Sequence, residues 1–118
     1  MVTAVYVREV ADLSVEVDRA EGAANVRLDG DLDKLTAPRL KKVLAELIAA
    51  GHVSIVIDTA GLAFCDSSGL WVLVEHQRKV GERGGSLGLT GVQGVLRRVL
   101  EVTGLKAAFD SVQPSAAS

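Results

Sequence analysis

The chain is poor in the residues that mark secreted, nucleic-acid-binding or membrane proteins. It has one cysteine in 118 residues, Cys65, so no internal disulfide can form, and a reducing compartment suits it. Aromatic residues make up 3% of the sequence, which leaves a core of Val, Leu and Ala. Basic and acidic residues nearly cancel, 13 against 15, for a net charge of −2 and a pI near 5.6. Such a balance carries no electrostatic footprint for nucleic acid or anionic lipid. Met1 is followed by Val-Thr-Ala-Val-Tyr-Val, with no basic region and no apolar run long enough to span a bilayer. A cytoplasmic protein with no direct membrane contact is the expectation.

What is present is aliphatic and regular. Hydrophobic residues reach 48% of the 118, enough for one domain that removes roughly two-thirds of its unfolded surface from water. We expect that domain over residues 1–112, with the first ten residues an extra strand or a loose arm. The small, polar stretch Gln113-Pro114-Ser115-Ala116-Ala117-Ser118 reads as a disordered tail.

Leu13, Val15 and Val17 alternate with polar residues, as do Val26 and Leu28, and Ala20-Glu21-Gly22-Ala23 between them predicts a β-hairpin. Gly30 to Asp33 closes the second strand. Thr36-Ala37-Pro38 then opens a helix with a capping residue and a proline tolerated in its first turn. Leu40, Val43, Leu44, Leu47 and Ile48 form one helical face that Gly51 ends. Ser86 to Thr90 predicts a short strand, and Val92, Val95, Leu96, Val99 and Leu100 a third amphipathic helix stopped at Thr103-Gly104. Ala107 to Val112 predicts a last strand. The order β-β-α-β-α-β-α-β requires crossovers, so the fold class is α/β, a mixed β-sheet with an antiparallel start packed with amphipathic helices. Binding surfaces on such sheets lie at the carboxyl ends of the strands.

The centre of the chain is Val53 to Val80. A short β-branched run, Val53, Ile55, Val56 and Ile57, ends in Asp58 and reads as a buried strand. A loop then leads to Asp66-Ser67-Ser68-Gly69-Leu70 and a helix to Val80. Asp66, Ser67 and Ser68 are the residue types that satisfy free amides at a helix start. One cap suffices, and we assign it to Asp66 or Ser67. Trp71 falls three residues after Ser68, hence beside it on the helix, and off the stripe Leu70, Leu73, Val74 and Gln77. If exposed, it is the kind of aromatic that anchors interfaces.

Other candidates carry less. Cys65 reads as a small buried thiol, because no histidine is placed to activate it. His52 and His76 read as surface or helix-end residues without metal-ligand spacing. Asp58 reads as an organiser of the loop. Gly84-Gly85 and Gly91-x-x-Gly94 do not make a phosphate-binding loop. No cofactor or metal is expected.

Four stretches in this order, Gly30 to Asp33 with Thr36 to Leu40, Ile55 to Asp58, Phe64 to Leu70 and Val99 to Leu105, make the chain resemble the bacterial anti-sigma factor antagonists of the STAS family. The final helix usual there is not evident, since Pro114 and the small-residue tail replace it. The resemblance implies a binding module without catalysis, whose unmodified form binds an anti-sigma factor that is also a serine kinase and so releases the sigma factor. That kinase phosphorylates the second serine of Asp-Ser-Ser-Gly, here Ser68, and ends the binding; a separate serine phosphatase restores it. Ser67 is a minor candidate acceptor. Asp33 resembles the aspartate that closes the first rim loop and helps the kinase recognise the acceptor. The implied partner-binding set is Asp31, Asp33, Thr36, Asp66, Ser67, Ser68, Gly69 and Trp71, in a monomer or weak homodimer. A phosphate adds about −1.5 to −2 charges, and an unpaired charge in a buried interface costs roughly 2–5 kcal/mol.

Three other functions compete. A receiver domain phosphorylated on aspartate fits the length and Asp58, but it begins with a strand leading to an acidic pair, not with a hairpin. A serine hydrolase needs Gly-x-Ser-x-Gly, which Cys65 breaks around Ser67 and Asp66 and Leu70 break around Ser68. A scaffold subunit of a stress-signalling complex or a transporter regulator keeps the fold and changes the partner.

Overall fold

The computed structural model describes residues 12–110; the expected strand at 3–10, the end of the expected last strand and the tail lie outside them. Strands β1 (Leu13–Ala20) and β2 (Ala23–Leu32) form the predicted hairpin over Glu21 and Gly22. Helix α1 (Ala37–Ala49), strand β3 (Ser54–Cys65), helix α2 (Ser67–Glu82), strand β4 (Ser86–Thr90) and helix α3 (Gly94–Thr103) follow, then a short helix α4 (Lys106–Asp110). The sheet order is β1-β2-β3-β4, with β1 antiparallel to β2 and the other neighbours parallel. The mixed sheet is as expected, because each helix carries the chain back across it.

The core is aliphatic. Val26, Leu28, Ile55, Ile57, Leu87 and Leu89 of the strands are buried with Leu40, Leu44 and Leu47 of α1 and Leu70, Leu73 and Val80 of α2. The alternate residues Ser14, Glu16, Asp18, Asn25, Arg27 and Val56 are exposed, so one sheet face stays open to water. Gly51, at φ 92°, ends α1: its amide and that of His52 bond to the Ile48 and Leu47 carbonyls at 3.0 and 2.9 Å.

Three expectations need correction. First, the segment after Asp58 is strand, not loop: β3 runs on to Cys65 beside β2. From Arg27–Asp58 to Asp29–Gly61, and again from Gly30–Leu62 to Asp31–Phe64, β3 advances one residue more than β2. Each such bulge breaks the two-residue alternation, which hides the strand from a periodicity reading. Second, the expected last strand at Ala107 to Val112 begins instead as α4. Lys-Ala-Ala are good helix formers, and Phe109, 2% exposed, seats the helix on the core.

Third, His76 is not a surface residue. It is fully buried on α2, its Nδ1 2.8 Å from the Val72 carbonyl oxygen and its Nε2 without a hydrogen-bond partner among the described residues. The buried face of α2 is Gly69, Leu70, Val72, Leu73, His76 and Val80, wider than the expected stripe and rotated away from Gln77.

Candidate partner-binding rim

The carboxyl ends of β2 and β3 place two loops side by side. Leu32 pairs with Cys65, and the Asp66 amide donates to the Leu32 carbonyl at 3.1 Å. Asp66 therefore leaves the sheet in a fixed direction. Its backbone is extended, and its Oδ1 accepts from the amides of Ser68 at 2.9 Å and Gly69 at 3.2 Å. The helix cap is thus Asp66, one of the two expected candidates. Ser67 is exposed and Ser68 half-buried, and neither hydroxyl is engaged among the described residues.

Gly69 is buried in the first turn of α2, where a Cβ would stand 2.4 Å from Leu32 Cγ and 3.1 Å from the Leu32 carbonyl oxygen. Only glycine lets the helix start approach β2 this closely.

The neighbouring loop, Asp31 to Thr36, is closed by reciprocal hydrogen bonds. Asp33 Oδ1 accepts the amides of Leu35 at 2.9 Å and Thr36 at 3.0 Å, while the Asp33 amide donates to Thr36 Oγ1 at 2.9 Å. Thr36 Oγ1 donates in turn to the Asp31 carbonyl at 2.8 Å. Thr36 occupies the cap position of α1, but its hydroxyl serves the loop and no helix amide. Pro38, at the second helical position, has no N–H to offer it. Thr36 is 5% exposed and Gly69 is buried, whereas Asp31 and Asp33 are half-exposed.

Eight residues expected at one site therefore meet at one end of the sheet. The chain matches a family model described as "Mlab, STAS domain" over residues 15–112. The chain belongs to the STAS family. It is 30% identical over 95 residues to an anti-sigma F factor antagonist of Paenibacillus polymyxa, covering 80% of this chain and 81% of the relative. It is 28% identical to an anti-sigma-B factor antagonist of Staphylococcus aureus, covering 80% and 88%. Among solved structures it resembles an anti-sigma factor antagonist from Mycobacterium paratuberculosis, with TM-score 0.73, 29% identity and 82% of each chain covered.

Within the STAS frame, three large apolar side chains stay in solvent near the rim. Trp71 is 65% exposed, Leu35 77% and Phe64 43%. Trp71 was singled out in the sequence; Leu35 and Phe64 were not. The available signal for Leu35 was an aliphatic residue inside an otherwise polar turn, Asp33-Lys34-Leu35-Thr36. Phe64 adjoins buried Cys65 and, by strand alternation, projects from the sheet face away from α1 and α2.

The rim's chemistry is that of a surface. Burial, aided by the neighbouring Asp66 charge, pushes the Cys65 thiol up to about 12, so it stays protonated and unreactive at neutral pH. No group of three or more metal-ligating side chains occurs among the described residues. Asp58 spends its Oδ1 on the Ala60 amide at 3.0 Å, within β3 and not in the loop it was expected to organise, because the strand runs on past it to Cys65. A groove of about 630 Å³, lined in part by Glu16, Asp18, Arg27 and Asp58, lies on the open sheet face and contains none of the rim residues. Among the described residues, no helix is long and apolar enough to cross a membrane.

Proposed function

We propose that this STAS chain is an anti-sigma factor antagonist whose binding is switched by phosphorylation of Ser68. Unmodified, it binds an anti-sigma factor that is a serine kinase, and the sigma factor is released. The kinase brings the ATP, and the chain performs no catalysis itself. A phosphatase reverses the modification, and the exchange takes place in the cytoplasm. One domain, ending near residue 112, carries the activity.

The observation that carries this reading is the Ser68 hydroxyl, unengaged among the described residues, on the first turn of a helix whose Ser68 and Gly69 amides are already satisfied by Asp66. The serine is not needed as a cap, and a phosphate there meets the favourable end of the helix dipole. The modification therefore leaves the fold intact and alters the surface that Asp31, Asp33, Asp66, Ser67 and Trp71 offer a partner. Burying the added charge without a counter-ion weakens binding by about thirtyfold to several thousandfold.

The test is intact mass and phosphosite mapping of the protein recovered from its native cells, beside a Ser68→Ala variant. A phosphate on Ser68 that the variant lacks supports the switch. A phosphate confined to Ser67 moves the acceptor by one residue, and none under any growth condition overturns the proposal.

A further inference from the structure

We infer that Leu35 and Trp71 are the two side chains by which this chain selects its anti-sigma factor, and that the factor presents an apolar pocket with a basic border. The inference rests on the function proposed above and adds which residues choose the partner and what the partner looks like.

Leu35 stands on the turn after β2 and Trp71 on α2, the helix that carries Ser68. Leu35 is fixed by its amide's bond to Asp33 Oδ1, and Trp71 lies one helical turn beyond Ser68 in a helix held by the Asp66 cap. Both side chains are therefore presented on braced backbone and pay little ordering entropy when bound. At 77% and 65% exposed, they contribute nothing comparable to the core. Val102, an aliphatic side chain as exposed as Leu35 at 79%, lies on α3.

Charge defines the surroundings. The side-chain hydrogen bonds from backbone amides to Asp33 and Asp66 all fall on Oδ1, so among the described residues each keeps a carboxylate oxygen available, and Asp31 adds a third half-exposed carboxylate, against exposed Lys34 in the same loop. The complementary surface is apolar at its centre and cationic at its edge. Trp71 alone can bury roughly 150–250 Å² in such a pocket. Seating Trp71 brings the partner within one helical turn of Ser68, where an added phosphate is hard to accommodate.

The test measures affinity of the unmodified full chain for each purified anti-sigma-factor serine kinase encoded in its source genome. Leu35→Ser and Trp71→Ala are compared with Val102→Ser as a surface control, with circular dichroism confirming that each variant is folded. The wild type binds one kinase. Each rim variant loses about tenfold or more in that affinity, while Val102→Ser stays within about twofold. Raising NaCl from about 0.1 M to about 0.5 M weakens wild-type binding if the border is basic.

Rim variants that bind like the wild type overturn this inference and leave the proposed function standing, since Ser68 phosphorylation by the same kinase is read separately. A wild type that neither binds nor is phosphorylated overturns both. Trp71 emission that is already blue-shifted in the free protein and moves to the red on dilution assigns the patch to a second copy of the chain and overturns the inference.

Discussion

Asp66 Oδ1 lies 2.9 Å from the amide nitrogen of Ser68, and the same oxygen accepts from Gly69 at 3.2 Å. The residue beside the candidate acceptor is thus what fixes it in place. Asp66→Ala should cost about 1 kcal/mol in urea unfolding, and Asp66→Asn should recover most of that loss. An Ala variant as stable as the wild type would mean that the cap contributes nothing.

Gly69 packs tightly against Leu32 at the rim, and Gly69→Ala tests that approach. Alanine favours a helix by about 1 kcal/mol over glycine, but a Cβ 2.4 Å from Leu32 Cγ forces overpacking worth about 1–3 kcal/mol. We expect a net loss of stability in denaturant titration. Combining it with Leu32→Ala should cost less than the sum of the two single losses, since both changes act on one contact.

His76 gives the fold an acid-sensitive element. Burial holds its imidazole below the ordinary histidine value, with Lys79 and Lys41 acting in the same direction and the Val72 carbonyl and Glu75 acting against them. The unfolded chain takes up this proton near pH 6.5 while the folded chain does not. Stability from this residue is complete above about pH 6.5 and declines as pH falls below it. In paired melts of wild type and His76→Leu, the stability difference between them should change below that pH and be flat above it.

Cys65 should resist alkylation. A thiol 2% exposed and pushed up to about 12 should react with iodoacetamide only through unfolding, so its rate should rise in urea along the unfolding transition. The sign of the pH effect is opposite to that of His76. Above about pH 9 the unfolded thiol ionises first, and stability falls as pH rises.

Trp71 is the chain's only tryptophan and is largely exposed, so intrinsic fluorescence reports the rim. Its emission should be that of a solvated indole in the free protein and should be quenched by iodide. Because α2 keeps its cap when Ser68 is phosphorylated, the melting temperature of the phosphorylated form should stay within a few degrees of the unmodified one, the dipole contribution being about 0.3–1 kcal/mol.

Much of this molecule is determined by sequence alone. The hairpin, α1 with its face Leu40, Leu44, Leu47 and Ile48, β4, α3 and the mixed sheet follow from local pattern, since periodicity, glycine stops and cap residues act over a few positions. The placement of Asp33 at the end of β2 and of Asp66 and Ser68 at the start of α2 follows from the same patterns. Tertiary structure alone decided what depends on distant residues. The bulges of β3 exist because β2 lies beside it, His76 is buried because the α2 face that packs on the core is set by Gly69 against Leu32, and Phe109 turns an expected strand into α4 by seating on the core. The exposure of Leu35 was decided there too, because a leucine in a turn enters the core or stays in water according to where the folded chain places its neighbours.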